Sequence, residues 1–147
     1  MSSERVDPYV GAMLRLVWQW VWAQIYAGVS DAGYDDINPA HIALFRYPSI
    51  DGLRPSEVAA QIEITKQSVN DLVGHLEHCG YVVRTPDPAD GRARVLRLTP
   101  KGRRLESTIK QQASAAERGI ADMLGPRQFA QFRRALEKLT TLIKDDL

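Results

Sequence analysis

Seven cations lie between residues 84 and 104 (Arg84, Arg92, Arg94, Arg97, Lys101, Arg103 and Arg104), against two acids, Asp87 and Asp90. This local excess of +5 sits in a chain of 147 residues whose total formal charge is only +1. Cations gathered in this way suit a phosphate backbone, where neutralising charge releases condensed counterions. The segment that carries them reads as a hairpin leading into a helix. Asp90-Gly91 is a strong turn dipeptide. Val95, Leu96 and Leu98 give the second strand its apolar contacts, and Thr99-Pro100 is a hydroxyl N-cap with proline at the first helical position. Taken alone, such a hairpin fits a solvated loop as well as a phosphate-facing wing. The preceding residues decide between them.

Those residues read as two short helices joined by a tight turn. Pro55 to Ile62 places Val58, Ala59 and Ile62 on one helical face, and the four residues 62–65 form the turn. Thr65 is placed to cap a second helix running to about Cys79, with Gly80 at its left-handed C-terminal position. Val69, Leu72, Val73 and Leu76 form the buried stripe of this helix. Gln67, Asn70, Asp71, Gly74 and His78 fall on the opposite face. That face is polar, and Gly74 stands where a large side chain would hold the helix off a surface. Such a pair of helices can place the second in a major groove. Lys66 and the free N–H groups of the first turn can bind phosphate, and the amides of Gln67 and Asn70 have the geometry for bidentate pairing with adenine.

From Leu53-Arg-Pro-Ser-Glu-Val-Ala-Ala-Gln-Ile62 through the Thr65–Gly80 helix, Gly80-Tyr-Val-Val-Arg84 and Asp87–Gly102, the chain resembles the winged helix–turn–helix of the MarR (multiple antibiotic resistance regulator) family. The flanking helices have the matching order and length. The most specific match is Asp90-Gly91-Arg92 followed by Leu96-Arg97-Leu98-Thr99-Pro100-Lys101-Gly102. The resemblance implies that Arg92 enters a minor groove from the wing tip and that Asp90 helps to orient it. The expected DNA-contacting residues are Thr65, Lys66, Gln67, Ser68, Asn70, Asp71, Asp90, Arg92 and Arg94. Two departures stand out. Gly91 replaces a second arginine carried by many relatives, which predicts a more mobile tip, and Arg54 replaces a capping hydroxyl, which predicts a weaker start to the first helix of the motif.

The expected fold is mainly α with a small β-hairpin wing, a winged helix–turn–helix with flanking dimerisation helices. We expect one domain over 1–147, with a DNA-binding lobe at about 36–99 and a helical lobe formed by about 7–33 and 100–147. The first helix is predicted to start at Asp7-Pro8 and end near Gly33, with Val10, Met13, Leu14, Val17, Val21 and Ile25 as its stripe. Asn38-Pro39 starts a second helix containing Ile42, Leu44 and Phe45 and halted by Pro48. After the wing, Leu105, Ile109, Ala113, Ala116, Ile120, Met123 and Leu124 mark a helix of about 24 residues, roughly 36 Å long, broken at Gly125-Pro126. Phe129, Phe132, Leu136, Leu139 and Ile143 then follow in an a/d pattern. This seam predicts a homodimer across a two-fold axis, with packing on the chain's own first helix as the other reading. A dimer implies a pseudo-palindromic site on double-stranded DNA, with half-sites about one turn apart.

An apolar content of 44% and a charged content of 25% are those of a globular domain. The lone Cys79 excludes an internal disulfide framework and fits a reducing, cytoplasmic location. Met1-Ser-Ser-Glu-Arg5 precedes no secretory apolar stretch, and Leu16–Val29 is too short and too interrupted to span a membrane. His75, His78 and Cys79 are close in sequence, but their directions diverge. No metal site, cofactor or enzymatic motif is expected. The rival readings are a protein-interaction module of the same fold and a redox sensor built on Cys79.

Trp18, Trp22 and Tyr26 fall at i, i+4, i+8 on the first helix, with Trp20 on the other edge. One reading is core and seam packing. The other, implied by the resemblance, is a pocket for a small aromatic or phenolic effector. Tyr9, Arg15, Gln19, Gln24 and His41 are the polar groups available near it. Trp18, Trp22, Tyr26 and His41 are the expected effector-binding residues.

Overall fold

The computed structural model describes residues 7–45 and 49–146. Pro48, expected to halt the second helix, lies outside them. The elements run α1 (Val10–Asp31), α2 (Pro39–Ala43), α3 (Pro55–Ile62), α4 (Lys66–His78), β1 (Val82–Pro86), β2 (Arg94–Leu98), α5 (Pro100–Leu124) and α6 (Pro126–Asp146). α1 starts at Val10 rather than at Asp7-Pro8, with Tyr9 in extended geometry before it and no side-chain cap. α2 ends at Ala43, short of the expected Leu44 and Phe45. The N–H groups of those two residues reach back only three positions, to His41 and Ile42, which tightens the last turn and closes the helix.

The helix–turn–helix is set by local chemistry. α3 ends on Glu63, whose φ of 56° is left-handed, and the Ile64 N–H donates back to the Ala59 carbonyl at 3.3 Å. This chain reversal leaves Thr65 as the cap of α4, where its hydroxyl accepts from the Ser68 N–H at 3.1 Å. As expected, Arg54 provides no side-chain cap at the start of α3. Its N–H is taken by the Glu57 carboxylate at 3.0 Å, and Pro55 occupies the first helical position.

β1 and β2 pair antiparallel with Val82 opposite Leu98 and Pro86 opposite Arg94. The other edge of β2 is covered by a segment that local patterns did not reveal. Gly52 N–H donates to the Leu96 carbonyl at 2.7 Å, and Leu96 N–H donates to the Leu53 carbonyl at 2.8 Å. The Asp51 carboxylate takes the Leu98 N–H at 3.0 Å. The edge of the wing's second strand is thereby paired rather than bare.

The core lies where the last turns of α1 meet α2, the helix–turn–helix, the wing base and the first half of α5. Val29, Leu44, Val58, Val69, Val73, Leu76, Leu96 and Leu105 are fully enclosed, each such side chain contributing about 1.5–3 kcal/mol. α1 packs antiparallel along α5, with Gly28 against Gln112 and Trp20 against Gly119. The stripes of both helices are only partly covered. Val10, Met13, Leu14 and Val17 at one end of α1, and Met123 and Leu124 at the end of α5, are exposed.

A polar cluster links α2 and α4. The His41 Nδ1 accepts from the Asn38 N–H at 3.1 Å, completing the cap of α2. Its ring stacks on His75 at 4.2 Å and 11°. His75 Nε2 lies 2.7 Å from the Asp36 carbonyl, and the Tyr81 hydroxyl donates to the Asp36 carboxylate at 2.6 Å. Burial, and then the neighbouring His75, hold the His41 imidazole below its ordinary value, outweighing the opposite pull of Asp36. The unfolded chain therefore takes up this proton first as pH falls. The contribution of His41 is complete above about pH 6.5 and is lost as pH drops below it toward the folded value. The melting temperature should fall between pH 7.5 and pH 5, and by less in His41→Gln. Equal falls in both proteins would remove His41 as the cause.

Candidate nucleic-acid interface

One face of the molecule carries most of the residues expected to touch DNA. Thr65, Lys66, Gln67, Ser68 and Asp71 are exposed along the start of α4, and Asn70 is half-buried beside β1. Gly74 and His78 continue the exposed face. No side chain reaches within 4 Å of a Cβ placed on Gly74. The stripe opposite is buried at Val69, Val73 and Leu76, with Leu72 packed at its edge.

Between α3, α4 and the wing lies a depression of about 400 Å³ lined by Arg54, Ser56, Lys66, Asn70, Arg84 and Arg94. It brings together Lys66, Asn70 and Arg94, which come from distant parts of the chain. Arg54 and Arg84 were absent from the expected contacts. The Arg54 guanidinium grips Asp87, where the wing's loop leaves β1, Nη2 to Oδ2 at 2.7 Å and Nε to Oδ2 at 2.8 Å. This bridge spans 33 positions in sequence and has no local signature. The Ala89 N–H, and after it the Arg54 guanidinium, hold the Asp87 carboxyl below the usual carboxylate value. Asp87 thus stays ionised and clamps the wing to the first helix of the motif.

At the wing tip, Asp90 and Arg92 are exposed and apart from the depression. The Asp90 carboxylate accepts the Arg92 N–H at 3.1 Å, and the Ala93 N–H closes the turn on the Asp90 carbonyl at 3.0 Å. Asp90 therefore orients Arg92 through its backbone. Gly91 has no positive φ, and a Cβ there would meet nothing within 4 Å, so its geometry demands no glycine.

A separate apolar cavity of about 490 Å³ opens between α1, α5 and the residues after α2. Its walls are Trp18, Val21, Trp22, Ile25, Ile42, Phe45, Ile109 and Ala113. The Trp18 and Trp22 rings stand 5.5 Å apart, tilted by 36°. Its polar groups are Ser49, Glu106 and Lys110, with the Ser49 hydroxyl donating to Glu106 at 2.7 Å and the Lys110 ammonium 3.3 Å from the same carboxylate. Two residues expected here stand elsewhere. Tyr26 does not line the cavity, because each step of four along a helix drifts by about 40° and carries it off the wall that Trp18 and Trp22 share. His41 does not line it either: it is 5% exposed and committed to capping α2 and stacking on His75.

On α6, which packs on α5 of the same chain, Phe129, Phe132 and Leu136 are half-buried, while Leu139 and Ile143 are exposed. Cys79 is half-buried. Burial, then Asp36, push its thiol up, away from the thiolate form that reacts. Among the described residues no group of His, Cys, Asp and Glu could hold a metal ion, and no helix is long and apolar enough to cross a membrane.

Residues 35–93 match a model of the MarR family. The HTH-type transcriptional repressor Rv2887 of Mycobacterium tuberculosis is 30% identical over 130 residues, covering 88% of this chain and 87% of the repressor. The structure of that protein with salicylic acid is similar at a TM-score of 0.70 and 28% identity, covering 90% of this chain and 97% of the other. Its complex with DNA gives 0.67 and 27%, covering 90% and 98%. CouR of Rhodococcus jostii, bound to p-coumaroyl-CoA, gives 0.69 and 25%, covering 93% and 95%. With these matches running nearly the length of both chains, on a structure that carries the recognition helix, wing and flanking helices, the protein belongs to the MarR family of transcriptional regulators.

Proposed function

We propose that this protein is a cytoplasmic, ligand-responsive transcriptional repressor that binds a pseudo-palindromic operator as a homodimer and has no enzymatic role. The observation that carries this reading is the cation-lined depression set between an exposed polar helix face and a basic wing. Residues at about 36–99 would form the DNA-binding lobe, and those at about 7–33 and 100–147 the dimerisation lobe. That the similar Rv2887 forms complexes with DNA and with salicylic acid supports a protein that binds both DNA and a small aromatic acid. A mobility-shift titration on the DNA upstream of the protein's own gene, repeated across salt, tests it. A dimer neutralising roughly 6–10 phosphates loses about 10³–10⁵-fold in affinity between 50 and 200 mM salt. A salt-independent interaction, or none, would instead favour a protein-interaction module.

The wing supplies a sharper check. Arg92→Ala should weaken operator binding by about 1–3 kcal/mol, the range for a lost groove contact. Gly91→Arg should act in the opposite direction, adding a cation per protomer and steepening the salt slope by about 0.9 for each phosphate it neutralises. If neither change alters the titration, the wing tip does not touch DNA.

The apolar cavity is the proposed effector site, taking a small aromatic or phenolic molecule against the wall that carries the Trp18 and Trp22 rings. An occupant lowers operator affinity only if it binds the DNA-incompetent arrangement better. A coupling of about 1–3 kcal/mol corresponds to a 5- to 150-fold effect. Trp22→Ala should abolish both the fluorescence change on adding such compounds and their effect on DNA, while leaving unliganded operator binding intact. A variant that still responds in full would place the effector elsewhere.

A further inference from the structure

The segment that leaves the apolar cavity is tied to the wing at nearly every step. Ser49 lines the cavity. Its hydroxyl donates to the Glu106 Oε2 at 2.7 Å and accepts the Asp51 N–H at 3.3 Å. The Asp51 carboxylate takes the Leu98 N–H at 3.0 Å and stands 3.7 Å from the Arg97 guanidinium. Gly52 and Leu53 bond to the Leu96 backbone at 2.7 and 2.8 Å, and Arg54 holds Asp87 at 2.7 Å. Residues 49–54 therefore join the cavity to both strands of the wing, and the Ser49–Glu106 bond fastens their cavity end to α5. That bond is open to competition. Glu106 also lines the cavity, with its side chain 15% exposed and its other oxygen 3.3 Å from the Lys110 ammonium. A carboxylate accepts and cannot donate, and it has room for several donors. Donors that share one carboxylate draw on the same charge, so a stronger one weakens the rest. A phenol, ionising near about 10 as tyrosine does, is a stronger donor than the serine hydroxyl. A ligand carboxylate placed there instead meets like charge.

We propose that the effector is a hydrogen-bond-donating aromatic, a phenol, which takes Glu106 over from Ser49, and that Ser49 is the positioning residue through which the cavity governs the wing. With Ser49 on Glu106, residues 51–54 have a fixed anchor on α5, and the wing that carries Arg92 and Arg94 is held in register with the recognition helix. With the phenol on Glu106 that anchor is released, and the edge of β2 and the Arg54–Asp87 clamp move with the freed segment. An apolar occupant without a donor fills the cavity and leaves the anchor in place. The proposal rests on the effector-site reading above, to which it gives a ligand chemistry and a route to DNA.

Operator titrations with para-cresol and with its methyl ether, read beside tryptophan fluorescence, test it. The phenol should lower the operator affinity of the wild type within the roughly 5- to 150-fold range of such couplings. The ether should change the fluorescence and leave operator affinity unchanged. In Ser49→Ala the anchor is absent from the start. Its unliganded operator affinity should fall to that of the phenol-saturated wild type, and para-cresol should then have no further effect on DNA. The phenol itself should bind this variant about 10- to 100-fold more tightly, since it no longer competes with a hydrogen bond to a charged group. Ser49→Thr keeps the hydroxyl and should restore the wild-type coupling. A methyl ether that releases DNA as well as the phenol does would overturn the proposal, as would a Ser49→Ala protein that keeps the full coupling. If neither compound alters fluorescence or operator affinity, the effector-site reading itself falls, and the proposal with it. Thermal melts of the three proteins separate loss of coupling from loss of fold, and the comparison of phenol with ether stands on the wild type alone.

Discussion

Replacing Gly102 by alanine should lower the melting midpoint by about 6–12 °C, the effect of roughly 3 kcal/mol of overpacking in a domain of this size. A Cβ built on Gly102 overlaps the Tyr81 carbonyl oxygen, and that oxygen has nowhere to go. It accepts the Thr99 N–H at 3.1 Å. The carbonyls just before it are also held: that of Gly80 by the Thr99 hydroxyl at 2.6 Å and that of Cys79 by the Lys101 ammonium at 2.7 Å. The carbonyls that the end of α4 cannot satisfy internally are thus taken by the start of α5. An extra methyl must push two backbones apart and loosen this whole contact. Gly74→Ala is the matched control. It adds the same methyl in open space within an exposed helix and should stabilise by up to about 1 kcal/mol. Equal melts for the two variants would mean that α5 is not seated on Tyr81 in this way.

Placing aspartate at both Leu139 and Ile143 should abolish the dimer and, with it, tight operator binding, by about 10²–10⁴-fold once the two half-sites are no longer linked. These side chains are each 45% exposed on a helix that buries no residue within its own chain. Leu142, at 54%, lies beside them. On α1, Val10, Met13, Leu14 and Leu16 are also uncovered. Apolar surface of this extent is expected to be covered by a partner. Unpaired charge buried in that contact carries a large desolvation penalty, while the isolated protomer, where both positions face water, should keep its fold. Light scattering and circular dichroism together read the result. A variant that remains dimeric and binds its operator would show that the two protomers meet elsewhere.

The recognition helix, the wing and their caps were legible because their signals are local. Val69, Val73 and Leu76 repeat at helical spacing, Thr65 and Thr99 cap as their hydroxyls imply, and Asp90-Gly91 turns the hairpin. What escaped are pairings between distant residues, which leave no periodic trace. Gly52 and Leu53 edge the sheet through a strand more than forty positions later, Arg54 meets Asp87, and Arg84 reaches from β1 to Asn70. His41 failed for another reason. A histidine beside an apolar stretch reads as a ligand-facing polar group, whereas its nitrogen is taken by the cap of its own short helix. Tyr26 failed because a spacing of four is slightly longer than one helical turn.

α5 adjoins each part of the molecule to which a role is proposed above. Its 25 residues span about 37 Å. One end is fastened to the wing lobe at Tyr81, its middle supplies Glu106, Ile109, Lys110 and Ala113 to the cavity wall, and its far end leads into α6. A rigid rod of that length amplifies angle into distance. A tilt of about 5° about the dimer end moves the wing end by about 3 Å, nearly the roughly 3.4 Å that separates successive bases on a strand. In a two-fold assembly the displacement acts on both arms at once. On the proposed reading the helix would act as a gauge for half-site spacing, and a molecule no larger than a single aromatic ring, wedged beside it in the cavity, would have enough leverage to throw the two arms out of step with the DNA.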